Sequence, residues 1–434
     1  MELNIKKIAY SFGAVATALS YQAFSTYILY FYVDVVKLSA ELAAWGMLIW
    51  AIWNALNDPL AGFLSDRTKT RWGRRIPYIM FTALPFGIIA ALVWTPPFNL
   101  LNQLALFLYF LIFICLFDLC YTLTVLNWAS LFPEMFKNLE ERAQVNAFRQ
   151  AFGMLGLIIG IALPPLIFTT IGWPAMGAIF GALIALAYYI SLWGSKEEPL
   201  SQTAKQPGLV AAFRYTLLNR SFLTFVFSNL FIQYAFTMVL AMIPFYAKYI
   251  LRVEEQKITL IMLAALLTAL PMMFFWRYLV VRWGAKRTYL MVIFLLAAAL
   301  VPFFLISSFK LAVLAAVFAG GSFAGIVLIS DILISDIIDE DSLNSQARRE
   351  GMYFGTNAFI CRFAIALEAI CIGLIFTQTG YNPYIFTQNQ GFILGLRWLI
   401  SGLPVLALLL ALAIMWFYPL NEERIRWIKE RIGS

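Results

Sequence analysis

The sequence predicts an all-α integral membrane protein with twelve transmembrane helices in two six-helix halves. Of its 434 residues, 62% are hydrophobic and 12% are charged, whereas about a quarter of the residues in a soluble domain are charged. Apolar stretches of about 20 residues, long enough to cross a bilayer, recur along the chain. Basic residues collect in alternate connections between these stretches, and one long polar insertion separates the first six stretches from the last six.

The apolar stretches define the predicted spans in order. Each has the length that a hydrocarbon core requires, or is somewhat longer. Their predicted bounds are residues 8–33, 41–64, 76–94, 101–126, 146–170, 173–193, 221–250, 258–281, 287–306, 310–334, 353–377 and 392–418.

The positions of Lys and Arg predict the orientation of these spans. In the twelve-span arrangement most basic residues lie in connections on one side of the membrane. The connections on the other side carry only Lys37, Lys248, Arg252, Lys257 and Lys310. Cytoplasmic connections are enriched in Lys and Arg. We therefore expect both termini in the cytoplasm and a location in the plasma membrane.

The long polar insertion predicts the domain organisation. Residues 195–220 form a cytoplasmic linker between an N-terminal half, 1–194, and a C-terminal half, 221–434, which ends in a short cytoplasmic tail. The turn RWGRR at 71–75, after the second span, recurs as RWGAKR at 282–287, after the eighth. Parallel six-span halves with equivalent basic turns are typical of the major facilitator fold.

Several motifs resemble one family within that fold. The segment NDPLAGFLSDRTKTRWGRR at 57–75 is similar to the glycoside-pentoside-hexuronide:cation symporters, whose best-known member is the bacterial melibiose carrier. Similar blocks are SDIIDEDSLNSQARREGMYFG at 335–355, YSFG at 10–13 and YFYVDVVKLS at 30–39. The resemblance covers essentially the whole chain. It implies cation-coupled transport by alternating access, and its motifs do not specify a substrate.

Polar residues of the second span form the predicted cation or proton site. Positions three and four apart share a helix face, so Asn54, Asn57 and Asp58 form one polar spot in an apolar helix. The resemblance implies that this spot and Thr122 of the fourth span bind the coupling ion, sodium or a proton. Carboxylate, amide and hydroxyl oxygens suit a hard cation. The melibiose carrier has a carboxylate at the position of Asn54, so an uncoupled facilitator stays an alternative.

The resemblance also argues against one class of substrate. The acids that bind a galactoside in the melibiose carrier fall at Ala18 and Val125 of this chain. The likeness therefore supports the fold and transport but argues against a galactoside.

Other charged residues inside the spans are predicted charge partners. Arg149 and Arg362 match basic positions of the melibiose carrier, and a charge inside a bilayer needs a partner or a wet cavity. We expect Arg362 to pair with Asp58, either to exchange with the cation or as a static link between helices. Asp118 and Glu368 are two candidates to replace the missing family acids, and a packing role is the alternative for Asp118.

Polar and aromatic residues near mid-membrane are predicted to line the substrate cavity. Hydrogen bonds and aromatic stacking would suit a sugar, although an aromatic residue in a span more often serves packing. The predicted cavity residues are Tyr21, Gln22, Tyr121, Asn127, Trp128, Gln233 and Asn357.

Charged residues at the cytoplasmic ends of the spans are predicted to form a gate. Exposed ion pairs contribute at most about 1 kcal/mol each, which suits contacts that must break in each transport cycle. A solvated charge cluster without a gating role is the alternative. The predicted gate residues are Asp66, Arg67, Arg71, Arg74, Arg75, Arg142, Asp336, Asp339, Arg348 and Arg349.

The composition argues against other classes of protein. The chain contains no His, and Cys115, Cys120, Cys361 and Cys371 are scattered through apolar segments. We therefore predict no enzyme, no cofactor and no metal apart from a possible sodium ion at Asp58. The net charge of +8 is explained by cytoplasmic loops, so we expect no nucleic acid partner.

We interpret the protein as a monomeric secondary active transporter that moves a sugar-like or other small polar solute by cation-coupled symport. Its predicted partners are the solute, the coupling cation and membrane lipid. A transporter of lysophospholipids or other amphipathic lipids with the same fold is the alternative. The sequence leaves open the solute, the choice between sodium and proton, and the direction of transport.

Overall fold

The computed structural model describes residues 5–68, 70–97, 102–136, 139–197, 217–345 and 350–433. Most of the predicted linker therefore lies outside the described residues. Contacts divide the chain into two compact units. The first unit comprises residues 1–203 with the short segments Glu255–Thr259 and Asn382–Ile385, and the second contains the rest. The predicted halves, with their bounds at 194 and 221, stay a prediction.

Helices form the first unit. They are α1 (Ile5–Ser11), α2 (Gly13–Leu29), α3 (Ala40–Arg67), α4 (Ile76–Leu92), α5 (Gln103–Met135), α6 (Leu139–Ala162), α7 (Pro164–Ile171) and α8 (Trp173–Trp193).

The helices that follow continue through the second unit. They are α9 (Arg220–Tyr246), α10 (Gln256–Trp283), α11 (Ala285–Leu300), α12 (Pro302–Leu305), α13 (Phe309–Ser345), α14 (Glu350–Cys361), α15 (Phe363–Gln378), α16 (Gln390–Arg397), α17 (Leu403–Trp416) and α18 (Glu422–Gly433).

The apolar helices confirm an integral membrane protein. Within the described residues, nine helical stretches are long and apolar enough to cross a bilayer, and they coincide with the fourth to twelfth predicted spans. The third predicted span falls on α4, a shorter apolar helix of 17 residues. The first two fall on α2 and α3. The full count of twelve stays a prediction.

Several span boundaries differ from the prediction. The predicted span 146–170 is two helices, because α6 ends before Pro164 and Pro165, which lack the N–H groups that a continuing helix needs. Helices α5 and α13 run on to Met135 and Ser345, well beyond the predicted bounds. A helix can continue past the hydrocarbon region, so hydropathy does not mark its end.

The first span of each half ends in the same way. A π-helical turn, Tyr30–Val35, follows α2, and another, Ala247–Leu251, follows α9. Behind each turn lies a basic residue with positive φ, Lys37 at 70° and Arg252 at 53°. Glycine is the usual residue at such helix ends. This repeated detail is consistent with two related halves.

The basic turn at 71–75 is fastened by a carboxylate that sequence reasoning did not single out. Glu197 accepts hydrogen bonds from the backbone N–H groups of Arg74 and Arg75, both at 2.9 Å, and of Ile76 at 3.2 Å. It thereby satisfies N–H groups at the start of α4. Gly73 has φ 103°, and a Cβ atom there would collide with the Glu197 carboxylate.

The second basic turn repeats the close approach of a glutamate carboxylate to its glycine. Gly284 has φ 84°, and a Cβ atom there would collide with the carboxylate of Glu422. Glu422 follows the last predicted span as Glu197 follows the sixth. The recurrence of RWG in the sequence therefore reflects a repeated contact between glycine and carboxylate.

We expect Glu197→Ala to lower the free energy of unfolding by about 2 kcal/mol, because the hydrogen bonds that it removes involve a charged acceptor. Glu197 is nearly buried, with 4% of its side chain exposed. The matched control is Glu141→Ala, which removes a more exposed pair with Lys7 and should cost less than about 1 kcal/mol. Thermal unfolding of the purified protein measures both, and equal shifts would contradict a special role for Glu197.

Candidate functional site

Two carboxylates lie between α3 and α5. The amide nitrogen of Asn54 donates to Oδ1 of Asp118. The amide nitrogen of Asn57 donates to Oδ2 and to the backbone oxygen of Asp118, both at 3.1 Å. All three side chains are buried. Each amide thus donates to one carboxylate oxygen of Asp118.

Asp58 lies one helical turn along α3 from Asn54 and makes a different contact. The hydroxyl of Thr122 donates to its Oδ1 at 2.9 Å. Thr122 is buried, whereas Asp58 is half-buried. Asp118 and Thr122 are one turn apart on α5, so the two acids belong to one polar seam along the two helices.

This seam changes the expected roles of its members. Asn54 and Asn57 were predicted as ligands of the ion, but their amide nitrogens face Asp118. Asp118 was predicted as a charge partner and as one candidate to replace the missing family acids, and it lies at the centre of the seam. Two acids from two helices, with a hydroxyl beside one of them, can bind a monovalent cation or exchange a proton.

Arg149, the predicted charge partner inside a span of the first unit, is held by aromatic rings. The guanidinium carbon of Arg149 lies 4.7 Å from the ring centre of Trp128 and 4.5 Å from that of Phe132. Its Nε is buried without a hydrogen-bond partner. Among the described side chains, no carboxylate lies within ion-pair distance of Arg149. Cation–π contacts partly replace hydration but leave the N–H groups available to an acceptor.

Trp128 is itself fixed by α1 and the residues that follow it. Its indole Nε1 donates to the backbone oxygen of Tyr10 at 3.1 Å, and the Tyr10 hydroxyl donates to the backbone oxygen of Trp128 at 2.8 Å. Their rings stack with centres 5.5 Å apart. Gly13 permits the approach, because a Cβ atom there would collide with the indole.

The other predicted cavity residues of the first unit have varied surroundings. Asn127 is fully buried and donates to the backbone oxygen of Leu123, while its Oδ1 has no partner. The rings of Tyr21 and Tyr121 lie 5.8 Å apart, and both residues are half-buried, as is Gln22.

In the second unit a small polar cluster contains one predicted cavity residue. The Asn229 amide nitrogen donates to Oδ1 of Asn357 at 2.9 Å and to Sγ of Cys361 at 3.3 Å. Gln233 is half-buried one turn further along α9. Glu368 is buried, with Thr237 of α9 beside its carboxyl group.

Arg362 occupies the junction of α14 and α15, where its N–H lies 3.3 Å from two backbone oxygens, those of Ala358 and Phe359. The two helices nevertheless form one apolar stretch from Tyr353 to Gln378, because Arg362 keeps helical dihedral angles. The pairing of Arg362 with Asp58 stays a prediction.

The predicted gate residues that are described make local contacts. Arg74 Nη2 and Arg75 Nε both donate to Glu134 Oε1, at 2.7 and 2.9 Å. Arg71 lies over the ring of Trp72. Two arginines on one carboxylate bind the basic turn to the end of α5.

For the remaining predicted gate residues the structure gives their burial or leaves them outside the described residues. Arg67 is exposed, Asp336 is buried and Asp339 is half-buried. Arg348 and Arg349 lie outside the described residues, as do the side chains of Asp66 and Arg142. Pairing across the cytoplasmic mouth stays a prediction.

Comparison with known families agrees with this architecture. The model of the family described as MFS/sugar transport protein matches residues 9–422. The protein belongs to this family. The resemblance to symporters of the glycoside-pentoside-hexuronide type is confirmed.

Three curated relatives match nearly the whole chain. The putative sulfoquinovose importer of Escherichia coli is 28% identical over 100% of this chain and 95% of that protein. The glucuronide carrier protein homolog of the same organism is 25% identical over 98% and 95%. The sodium-dependent lysophosphatidylcholine symporter 1-A of Danio rerio is 23% identical over 96% and 86%.

A solved structure shows the same fold. The crystal structure of a D-xylose-proton symporter aligns with a TM-score of 0.67 at 16% identity, over 96% of this chain and 98% of that one. The major facilitator fold is therefore confirmed. The protein is a secondary active transporter of the symporter type for a sugar-like or other small polar solute, and it is not an enzyme.

We expect Asp118→Asn to lower the free energy of unfolding by about 1–3 kcal/mol, because its new NH₂ group would face the donors of Asn54 or Asn57. The matched control is Asp58→Asn, which keeps an oxygen acceptor for Thr122 and should destabilise less. Thermal unfolding of both purified variants measures the difference. A larger loss for Asp58→Asn would contradict the central position of Asp118.

Proposed function

We propose that the protein transports a small anionic sugar together with a monovalent cation, sodium or a proton. The observation that carries this proposal is a combination within the first unit. A pair of acids lies on α3 and α5, and Arg149 has no acid partner among the described side chains. The first feature suits a cation, and the second suits an anion.

The cation part rests on the oxygen atoms around Asp58. Its carboxylate accepts a hydrogen bond from Thr122, which lies one turn along α5 from Asp118. The seam therefore contains two acids although Asn54 replaces the family acid. Sodium binds to carboxylate and hydroxyl oxygens, and a proton needs only one carboxylate. An ionised group inside the bilayer costs about 3 kcal/mol or more. Neutralisation by a bound cation therefore favours a conformational change that buries the site.

The anion part rests on Arg149. A guanidinium is planar and binds a carboxylate or sulfonate through two parallel hydrogen bonds. Its aromatic contacts hold the planar group in place, and the buried Oδ1 of Asn127 next to Trp128 can accept a hydrogen bond from a sugar hydroxyl. The names of two relatives, an importer of sulfoquinovose and a glucuronide carrier homolog, refer to sugars with an acidic group.

A second candidate substrate is a lysophospholipid. The relative from Danio rerio is described as a sodium-dependent lysophosphatidylcholine symporter, and a phosphate group would also suit Arg149. The anionic sugar is favoured because the names of two relatives refer to sugars with an acidic group. Competition between the two ligands in the uptake assay distinguishes them.

We further propose that the protein acts as a monomer in the plasma membrane with both termini in the cytoplasm. The distribution of Lys and Arg along the sequence supports this orientation.

We expect Arg149→Gln to raise KM for a sulfonated or carboxylated sugar about tenfold or more, because a charged hydrogen-bonding partner is lost. Uptake of a neutral sugar of the same size should change little. Arg282→Gln serves as the matched control, since Arg282 is exposed and bonds only Tyr278 among the described residues. Initial rates in proteoliposomes give KM. Equal effects of Arg149→Gln on both sugars would contradict recognition of the anionic group.

We expect Asp58→Asn to abolish accumulation driven by a cation gradient, because the neutral amide neither attracts a sodium ion by its charge nor takes up a proton. Exchange of external for internal substrate should survive. Glu423→Gln removes an exposed carboxylate and should leave both processes unchanged. Accumulation ratios in proteoliposomes with imposed sodium or pH gradients measure this. Normal accumulation by Asp58→Asn would show that Asp58 is structural, and a ratio of one for the unmodified protein in every gradient would indicate an uncoupled facilitator.

A further inference from the structure

A large apolar cavity lies on the second unit, and none of the described residues that line it is charged. Helices α10, α11 and α13 enclose about 550 Å³, a volume typical of a small-molecule pocket. Among the residues that line it are Met272, Trp276, Leu295, Ala298, Phe318 and Gly321. All of these residues belong to stretches that are long and apolar enough to cross a bilayer.

Small residues explain why this space is open. Gly320 brings α13 against the backbone of α10 at Ala265, where a Cβ atom would collide. Next to this close contact, Ala298 of α11 and Ala315 and Gly321 of α13 present only small side chains to the cavity. The helices are thus held together at one level, and their side chains do not fill the space beside it.

The polar groups of the lining are already satisfied. Trp276 Nε1 donates to the backbone oxygen of Gly321 at 2.7 Å. The hydroxyls of Thr268 and Ser322 donate to backbone oxygens of their own helices, at 2.6 and 2.9 Å. A polar solute or a water cluster would find few partners there, and burying polar groups without partners is unfavourable. The chemistry of the lining therefore selects a hydrocarbon.

The cavity opens towards the apolar outer surface. Phe275, Leu295 and Phe318 line it and are 47%, 38% and 60% exposed. Exposed apolar side chains on a membrane span contact lipid, so the cavity is continuous with the lipid-facing surface. Its surroundings supply one abundant hydrocarbon, the acyl chains of the bilayer.

We propose that this cavity is a binding site for one acyl chain of a membrane phospholipid. The chain enters between Phe275 and Phe318 and lies against Trp276 and the small residues of α11 and α13. The site is independent of the proposed transport function, since it uses neither the acids of α3 and α5 nor Arg149.

Photo-crosslinking tests the site directly. The protein is reconstituted in phosphatidylcholine vesicles that contain a phosphatidylcholine with a diazirine in its acyl chain, and adducts are located by peptide mass spectrometry. We expect more adducts on Leu295 and Met272 than on Phe294, which is 56% exposed but does not line the cavity. Equal labelling of Phe294 and Leu295 would overturn the proposal, because it would indicate general contact with lipid.

A filled cavity provides the second arm of the experiment. Ala298→Phe places a ring in the cavity. We expect labelling of Met272 to fall about tenfold, which corresponds to a loss of ~1.4 kcal/mol in binding free energy. The matched control is Ala182→Phe, on the exposed surface of α8, which should leave labelling of Met272 unchanged. If Ala298→Phe does not fold, the smaller Ala298→Leu replaces it. Undiminished labelling of Met272 in a folded filled variant would overturn the proposal.

Discussion

The organisation of the first unit depends on the cost of placing an ionised side chain in hydrocarbon. That cost is about 3 kcal/mol or more per group. Different contacts offset it for three buried or half-buried charged side chains. Asp118 receives two amides, Asp58 receives the hydroxyl of Thr122, and Arg149 lies against the rings of Trp128 and Phe132. The aromatic contacts stabilise the cation without using its hydrogen-bonding capacity. We propose that an anionic ligand binds Arg149 through this remaining hydrogen-bonding capacity.

The position of the second acid gives this transporter its own form of the family site. The family resemblance places Asn54 where the melibiose carrier has an acid, and we propose that Asp118 supplies a carboxylate from the neighbouring helix instead. The hydrogen bond from Asn54 to Asp118 shows that the two changes fit each other physically. Since the two acids are on α3 and α5, a shift between these helices would alter the ligand set of the proposed cation. Binding and helix movement can therefore be coupled through this seam.

Much of this arrangement could be predicted from the sequence, and the limits have physical causes. Hydropathy and charge gave the membrane class and the repeated basic turns, and helix periodicity with the family resemblance singled out Asp58 and Thr122. The central position of Asp118 depends on the rotation of α5 against α3, which periodicity within one helix does not specify. Glu197 and Arg74 are 123 residues apart in the sequence. No local sequence pattern predicts their contact. Pro164 and Pro165, by contrast, indicate the end of α6 in the sequence itself. The prediction missed this helix end because the apolar stretch 146–170 has the length of a single span.

We propose that a cation at the acids of α3 and α5 and a substrate at Arg149 favour each other's binding. Such coupling is reciprocal, so the cation must change the affinity for substrate. The most direct measurement is the dissociation constant of an anionic sugar for the purified protein, by calorimetry, across a series of sodium concentrations at fixed pH and across a pH series without sodium. We expect the dissociation constant to fall as the sodium concentration rises or as the pH is lowered. A dissociation constant that stays the same in both series would contradict this proposal.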